Sequence, residues 1–139
     1  MEQLKPYDMV LKMKQEYKEK YAEAAQLEQP GVYAITVNSQ IVYVGQSTDM
    51  LHRMISHKAN AIYPLSKKYN RPMYVALRTA IEHPDLFEIK FLVLEYCDKQ
   101  ELKVKESQYI GQYMPELNTI TPRGRKAVTT HFLDKLENL

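Results

Sequence analysis

The chain has only one cysteine, Cys97, and no tryptophan among its 139 residues. One cysteine cannot form an internal disulfide and cannot build a thiolate zinc site by itself, so disulfide-stapled and zinc-finger proteins are excluded. Cys97 stands at the end of an apolar run, which favours a packed or strand-edge residue. A single thiol and an N-terminus without a signal-peptide pattern predict a reducing, cytoplasmic location.

Long apolar runs and a strong net charge are also missing. No stretch approaches the ~20 apolar residues of a membrane-spanning helix, so we expect no membrane partner. The formal net charge is +2, which is too small to indicate nucleic acid, and any DNA-binding face has to come from local basic clusters. A chain of this length forms one domain with its own core, with or without terminal extensions.

Apolar periodicity, prolines and turn residues predict the order helix, hairpin, helix, helix, strand, helix and tail. The expected bounds are 7–28, 31–37 with 41–46, a helix from about Asp49 capped by Ser47 or Thr48, 72–82, 87–96 and 99–113. The run 87–96 is apolar on both sides at its middle, which predicts a central strand covered on both faces. The expected class is α+β, a small antiparallel sheet of about three strands flanked by helices.

Three segments follow from this order. They are a helical extension over 1–29, a core domain over 30–118, and a basic loop with a short helix over 119–139. In the first segment, Met9 and Met13 begin an apolar stripe that recurs every four residues. This stripe packs on the core in the simpler interpretation, and in the alternative it joins two copies, which makes a homodimer the open possibility.

A glutamate, Glu106, lies on the apolar side of the predicted helix 99–113. It is four residues after Leu102 and four before Ile110, so it shares their face. A buried carboxylate without a partner costs roughly several kcal/mol, and buried charges therefore pair or bind metal. Spacing alone leaves both open, an ion pair at the edge of the core or a metal site.

Two further polar side chains, Arg53 and His57, are four residues apart on the helix that follows the hairpin. Their side chains are neighbours at that spacing. The planar fork of arginine suits a phosphate, and histidine can donate to a phosphate or take a proton near neutral pH. The alternative is a pair on a helix surface.

The hairpin strands carry two glycine-bearing triplets, Gly31-Val32-Tyr33 and Tyr43-Val44-Gly45. The tyrosines can point to one face of the sheet and approach each other. A cross-strand aromatic pair in the core is the alternative. Asn118, after Pro115, either fixes a turn or hydrogen-bonds a residue of the site.

The order of these residues resembles the GIY-YIG nuclease family. The resemblance rests on the two triplets, on the ten-residue separation of Tyr43 and Arg53, and on the closing run from Glu106 to Asn118. It covers 31–118, with valine in place of isoleucine in both triplets. Many family members have another histidine beyond the arginine. The stretch 60–68 has none, and its candidates to substitute are Tyr63, Lys67 and Lys68.

The resemblance implies a metal-dependent endonuclease that hydrolyses phosphodiester bonds in DNA with one divalent ion, Mg²⁺ or Mn²⁺. Glu106 would hold the metal. Tyr33 would be the general base toward the attacking water. Tyr43 would hydrogen-bond in the site and help to place water or phosphate.

The remaining roles that the resemblance implies belong to three residues. Arg53 would stabilise the phosphate charge, His57 would handle a proton or contact a phosphate, and Asn118 would support the site. The alternative function is a catalytically inactive nucleic-acid-binding module with the same fold. A structural or protein-interaction domain is a third reading.

Basic residues outside this set are candidates for contacts with DNA phosphates, which a nuclease needs beyond its catalytic centre. They are Lys58, Lys67, Lys68 and Arg71 near the site, and Arg123, Arg125 and Lys126 in the tail. The alternative is a solvated charged surface. No separate sequence-reading domain is visible, so one site would cut one strand, and cutting both strands would take a dimer or two events.

Overall fold

The structure is a computed structural model that describes residues 3–121, 124–125 and 132–139, and the backbone alone of 119–121 and 124–125. Its elements are α1 (Pro6–Lys20), β1 (Gly31–Val37), β2 (Gln40–Ser47), α2 (Met50–Ile62), α3 (Pro72–Ile81), β3 (Ile89–Tyr96), α4 (Leu102–Tyr113), α5 (Glu116–Thr119), β4 (Ile120–Thr121), β5 (Gly124–Arg125) and α6 (Phe132–Glu137). Short 3₁₀ helices cover Ala22–Leu27 and Lys99–Glu101. Within the described ranges, no helix has the length and apolar character to cross a membrane.

The main sheet has three antiparallel strands in the order β2-β1-β3, which confirms the predicted α+β class. Every residue of β1 is buried, so β1 is the central strand. The prediction that 87–96 forms the central strand is wrong, because β3 lies at an edge and Leu92 at its middle is 46% exposed. The tight turn after β1 pairs one edge of β1 with β2, so β3 can pair only with the other edge of β1.

The turn between β1 and β2 determines which side chains face each other. Asn38 and Ser39 have φ angles of 50° and 68°, the left-handed pair that matches the twist of a two-residue hairpin. The resulting register sets Tyr33 opposite Gly45 and Ile35 opposite Tyr43. Both tyrosines therefore lie on the same face of the sheet.

Helices cover the two faces of the sheet. On one face, Val32, Ala34 and Val44 form a cluster with Tyr109 and Ile110 of α4. On the other face, Ile35 and Val37 pack with residues of α2 and α3, namely Ala61, Ala76, Leu77 and Ala80. The tyrosines share this second face, so α2 lies over them and α4 lies behind the sheet.

Helix α1 is shorter than the predicted 7–28, because Tyr21 is extended and a 3₁₀ helix follows. The chain turns back there so that Glu28 reaches the α1 lysines, at 3.3 Å from Lys14 and 2.7 Å from Lys18. The apolar stripe of α1 packs within the chain, where Val10, Met13 and Tyr17 join Leu51 and Ile55 of α2. The packing interpretation is confirmed, and a homodimer stays a prediction.

The C-terminal helix α6 is attached to the core through a buried carboxylate. Glu116 is fully buried, and its oxygens accept hydrogen bonds from the backbone N–H groups of Phe132 at 2.7 Å and Leu133 at 2.9 Å. Free N–H groups at a helix start favour a negative partner. Glu116 thus acts as a long-range cap, and the Phe132 ring packs on Phe87.

Candidate active site

A chain of hydrogen bonds is buried between the sheet and α2. The Tyr33 hydroxyl lies 2.5 Å from His57 Nε2, and His57 Nδ1 lies 2.8 Å from the Tyr74 hydroxyl of α3. Burial, and then the charges of Arg53 and Lys68, lower the pKa of His57 to about 3. The imidazole is therefore neutral at physiological pH, with one nitrogen donating and the other accepting.

Arg53 lies close enough to both site tyrosines, Tyr33 and Tyr43, that its positive charge acts to lower their pKa values. Burial opposes the charge of the half-buried guanidinium, but Tyr33 and its neighbouring phenols raise the pKa of Arg53 overall. The side chain therefore keeps a positive charge beside two tyrosine hydroxyls. Such a fixed cation can stabilise negative charge on a phosphate.

The two site tyrosines differ in access to solvent. Tyr33 is fully buried, whereas Tyr43 is half-buried, and their ring centroids are 6.3 Å apart. Burial raises the pKa of both phenols, and Arg53 opposes this rise. Both hydroxyls are thus neutral at physiological pH, and only Tyr43 is open to a molecule from solvent.

The glycine of each triplet has a steric reason. A Cβ on Gly45 would lie 2.6 Å from Tyr33 Cζ and 3.0 Å from Tyr43 Cε2. A Cβ on Gly31 would lie 2.6 Å from the Glu95 carbonyl oxygen. Glycine at these positions lets the Tyr33 ring lie across β2 and lets β3 approach β1.

Glu106 reaches the site from α4. Its half-buried carboxylate lies beside the backbone N–H of Gln46 in β2. Burial raises the pKa of Glu106, while Arg53 and this N–H oppose the rise. In the part of the chain that is described, Glu106 makes no salt bridge and belongs to no cluster of three or more His, Cys, Asp or Glu.

Asn118 braces the edge of β2 that does not pair with β1. Its Oδ1 accepts from the Val44 N–H and its Nδ2 donates to the Val44 carbonyl, both at 2.8 Å. This amide pairs with the edge strand as a neighbouring strand would. Because Val44 stands between Tyr43 and Gly45, the brace fixes the strand at the point where it contributes to the site.

The comparison with solved structures gives the following result. The chain is similar to the GIY-YIG N-terminal endonuclease domain of UvrC from Thermotoga maritima. In the form bound to its catalytic divalent cation, magnesium, that domain shows a TM-score of 0.42 and 18% identity, over 70% of this chain and 92% of that chain.

Two point mutants of that domain, each bound to the catalytic divalent cation, show a similar likeness. Their TM-scores are 0.40 and 0.41, with 17% and 16% identity, over 69% and 70% of this chain and 90% and 97% of theirs. No protein-family model and no curated protein matches the chain.

The start of α2 orients Arg53 and His57. The predicted cap was Ser47 or Thr48, and that prediction is wrong, because Asp49 is the N-cap and accepts from the His52 N–H at 3.0 Å. The Ser47 hydroxyl instead accepts from the Asp49 N–H. Lys14 of α1 also donates to Asp49, at 2.9 Å, so α1 and the loop both hold the first turn of α2.

The basic residues of the DNA-binding prediction divide into separate places. Lys68 is close enough to Arg53 that their charges interact, and burial and then Arg53 and Arg71 lower the pKa of Lys68. Lys67 is exposed and lines the same cleft as Lys68. Lys58, in contrast, lines an apolar cavity on the other side of α2.

The tail contributes no described side chain to the site. Arg123 and Lys126 lie outside the described residues, and of Arg125 only the backbone in β5 is described. Among the substitutes for the missing histidine, Tyr63 points away and donates to the Leu4 carbonyl oxygen. Lys68 is the candidate whose charge acts on both Arg53 and His57.

Sequence reasoning missed Tyr74. Its hydroxyl holds His57 from α3, and its ring is buried. The available signal was that Tyr74 shares a helix face with Leu77 and alanines. A tyrosine on such an apolar face is buried, and a buried tyrosine hydroxyl usually has a hydrogen-bond partner. The structure thus brings Tyr33, Tyr43 and Arg53 together with Glu106 nearby, and adds a residue that supports them.

Proposed function

We propose that the protein is a metal-dependent endonuclease that hydrolyses phosphodiester bonds in DNA. The observation that supports this most strongly is that an arginine and a glutamate lie near each other in the site and form no salt bridge. Arg53 lies beside two tyrosines, and Glu106, which lies close enough to interact with its charge, makes no salt bridge in the described structure. A phosphate and a divalent cation are the groups that complete such a site.

Glu106 is the residue that would hold the ion, Mg²⁺ or Mn²⁺. Its carboxylate is half-buried, so part of it is open to a metal ion. Mg²⁺ prefers oxygen ligands and keeps several waters, so a single carboxylate suits it. When bound, such an ion polarises a phosphate and stabilises the leaving oxygen.

The tyrosine roles follow from access to solvent. A general base has to come within hydrogen-bond reach of the attacking water. The family resemblance assigns this role to Tyr33, but the Tyr33 ring is fully buried and its hydroxyl is bonded to His57. We therefore assign the role of general base toward the water to Tyr43, whose side chain is half-buried and close enough to Arg53 for the positive charge to act on its pKa.

Arg53 and His57 then have separate tasks. Arg53 would stabilise the negative charge that builds on the phosphate. His57 is buried with both ring nitrogens bonded to tyrosines, so it holds Tyr33 and does not contact a phosphate. Asn118 maintains β2, which carries Tyr43.

Cleavage with Mg²⁺ or Mn²⁺ of supercoiled plasmid, and of a duplex that carries a single-stranded segment, tests this proposal. We expect nicking or linearisation that needs the metal, is lost in Glu106→Ala and persists in Glu82→Ala, a control carboxylate that is exposed at the end of α3. Mn²⁺ binding, measured by electron paramagnetic resonance, should weaken in Glu106→Ala alone.

Two results would contradict the proposal. Mn²⁺ binding that is unchanged in Glu106→Ala would remove the metal from that residue. Tight DNA binding without cleavage would favour the alternative, a catalytically inactive nucleic-acid-binding module. A homodimer would supply a second site for the second strand, and it stays a prediction. A cytoplasmic location, which the free Cys97 thiol favours, also stays a prediction.

A further inference from the structure

A basic cleft continues from the site toward the N-terminus. It has a volume of about 420 Å³, and its walls come from the start of α1, from α2 and from the loop before α3. Its charged and aromatic lining consists of Lys5, Tyr7, His52, Arg53, Lys67 and Lys68. Arg53 belongs to both the site and the cleft. A DNA strand whose phosphate contacts Arg53 would therefore place its next nucleotide in this cleft.

The cleft holds positive charges without counterions. In the described structure, Lys5, Lys67, Lys68 and Arg53 make no salt bridge. Lys68 is half-buried, and burial together with the positive charges of Arg53 and Arg71 lowers its pKa. Cations held together in this way repel one another, and an anion in the cleft would relieve the repulsion.

An exposed aromatic ring stands at the wall of the cleft. Tyr7, in the first turn of α1, is 66% exposed. The segment before it is fixed, because the Tyr63 hydroxyl donates to the Leu4 carbonyl oxygen. Proteins that bind single-stranded nucleic acids combine an aromatic ring, on which a base stacks, with cations that contact the phosphates.

We propose that the cleft binds an unpaired nucleotide of the DNA strand being cut, adjacent to the phosphate at Arg53. This rests on the proposed function and adds the substrate class. Tyr7 stacks on the base, and Lys5 and Lys67 contact phosphates. In a duplex, neighbouring bases cover both faces of each base, so Tyr7 can stack only on an unpaired one.

The size of the cleft supports a single strand. Its volume of about 420 Å³ lies within the roughly 300–1,000 Å³ of small-ligand pockets. A B-DNA duplex, whose major groove alone is about 12 Å wide, does not fit into it. The expected substrates are therefore DNA molecules with a single-stranded segment beside the bond that is cut.

Binding is tested separately from cleavage by working in EDTA with the full chain. Fluorescence anisotropy would compare a labelled oligothymidine with a duplex of the same length. We expect tighter binding of the single strand, a loss of about 5- to 150-fold in Tyr7→Ala, and an unchanged affinity in Tyr21→Ala. Tyr21 is the matched control, because it is an exposed tyrosine at the other end of α1.

The lysine contacts have their own readout. Lys5→Ala should reduce the slope of log affinity against log salt by about 0.7, the value for one phosphate on a single strand. Lys12→Ala, at an exposed lysine of α1, should leave it unchanged. Circular dichroism would confirm that the variants are folded.

Two outcomes would overturn the inference. One is a duplex bound as tightly as the single strand, and the other is a Tyr7→Ala affinity equal to that of Tyr21→Ala. Failure of the proposed function looks different, because binding and its dependence on Tyr7 would persist while no metal-dependent cleavage occurs.

Discussion

Replacing Asn118 tests the brace on β2 and the site at once. In Asn118→Ala, the two 2.8 Å hydrogen bonds to Val44 are lost. Each contributes about 0.5–1.5 kcal/mol net, and a buried group left without a partner costs about 1–3 kcal/mol. Val44 is fully buried, so water replaces the amide poorly, and we expect a loss of about 2–4 kcal/mol in the free energy of unfolding.

Urea unfolding followed by circular dichroism measures this loss. With a slope of about 2 kcal/mol per molar urea, in the middle of the range for small proteins, the midpoint should fall by about 1–2 M. Asn118→Asp keeps the acceptor for the Val44 N–H but sets an oxygen against the Val44 carbonyl, so it should be no more stable than the alanine variant. Asn70→Ala, at an exposed loop position, is the control.

The reasoning is refuted by a midpoint that moves no more in Asn118→Ala than in Asn70→Ala. It is also refuted if Asn118→Asp keeps the stability of the original chain, because one of the two bonds would then carry no weight. Cleavage should fall as well at temperatures where the variant stays folded, since Tyr43 precedes the braced residue.

Three further predictions concern the tyrosines and their support. Gly45→Ala should destabilise the fold by about 1–3 kcal/mol, because its Cβ would meet the Tyr33 ring, while Gly111→Ala, with open space around it, should not; thermal unfolding compares them. His57 has a pKa of about 3 in the folded chain and about 6.5 when unfolded, so the unfolded state binds the extra proton. The free energy of unfolding therefore falls by about 1.4 kcal/mol per pH unit as the pH drops below 6.5. Urea unfolding at pH 7, 6 and 5 should show this dependence on pH, and His57→Gln should lack it. Because burial raises the pKa of Tyr43, the cleavage rate should climb with pH through the neutral range, and a Tyr43→Phe variant that keeps both the rate and this climb would rule out its proton-accepting role.

The sequence was informative where local chemistry determines the outcome. The hairpin follows from the turn residues Asn38 and Ser39. The Asp98 and Glu101 capping box starts the 3₁₀ helix Lys99–Glu101 that leads into α4. The motif order led to Tyr33 and Arg53, which do meet. These features depend on a few neighbouring residues, and a sequence displays them directly.

Features that depend on competition between distant segments were not predictable. The apolar run of β3 is as strong as that of β1, and only the short turn to β2 decides which becomes central. Likewise, α1 ends at Lys20 because Glu28 returns to its lysines. The burial of Tyr33, which changes the choice of general base, depends on α2 and β3 and is invisible in its triplet.

The carboxylate of Glu116 links the end of the chain to the site. It lies two residues before Asn118 and receives the first N–H groups of α6. A truncation that removed Phe132 and Leu133 would take two donors from a charge that is fully buried. We therefore expect the last helix and the edge of the sheet to unfold together, so that a shortened chain would report on the stability of β2 as much as on the tail.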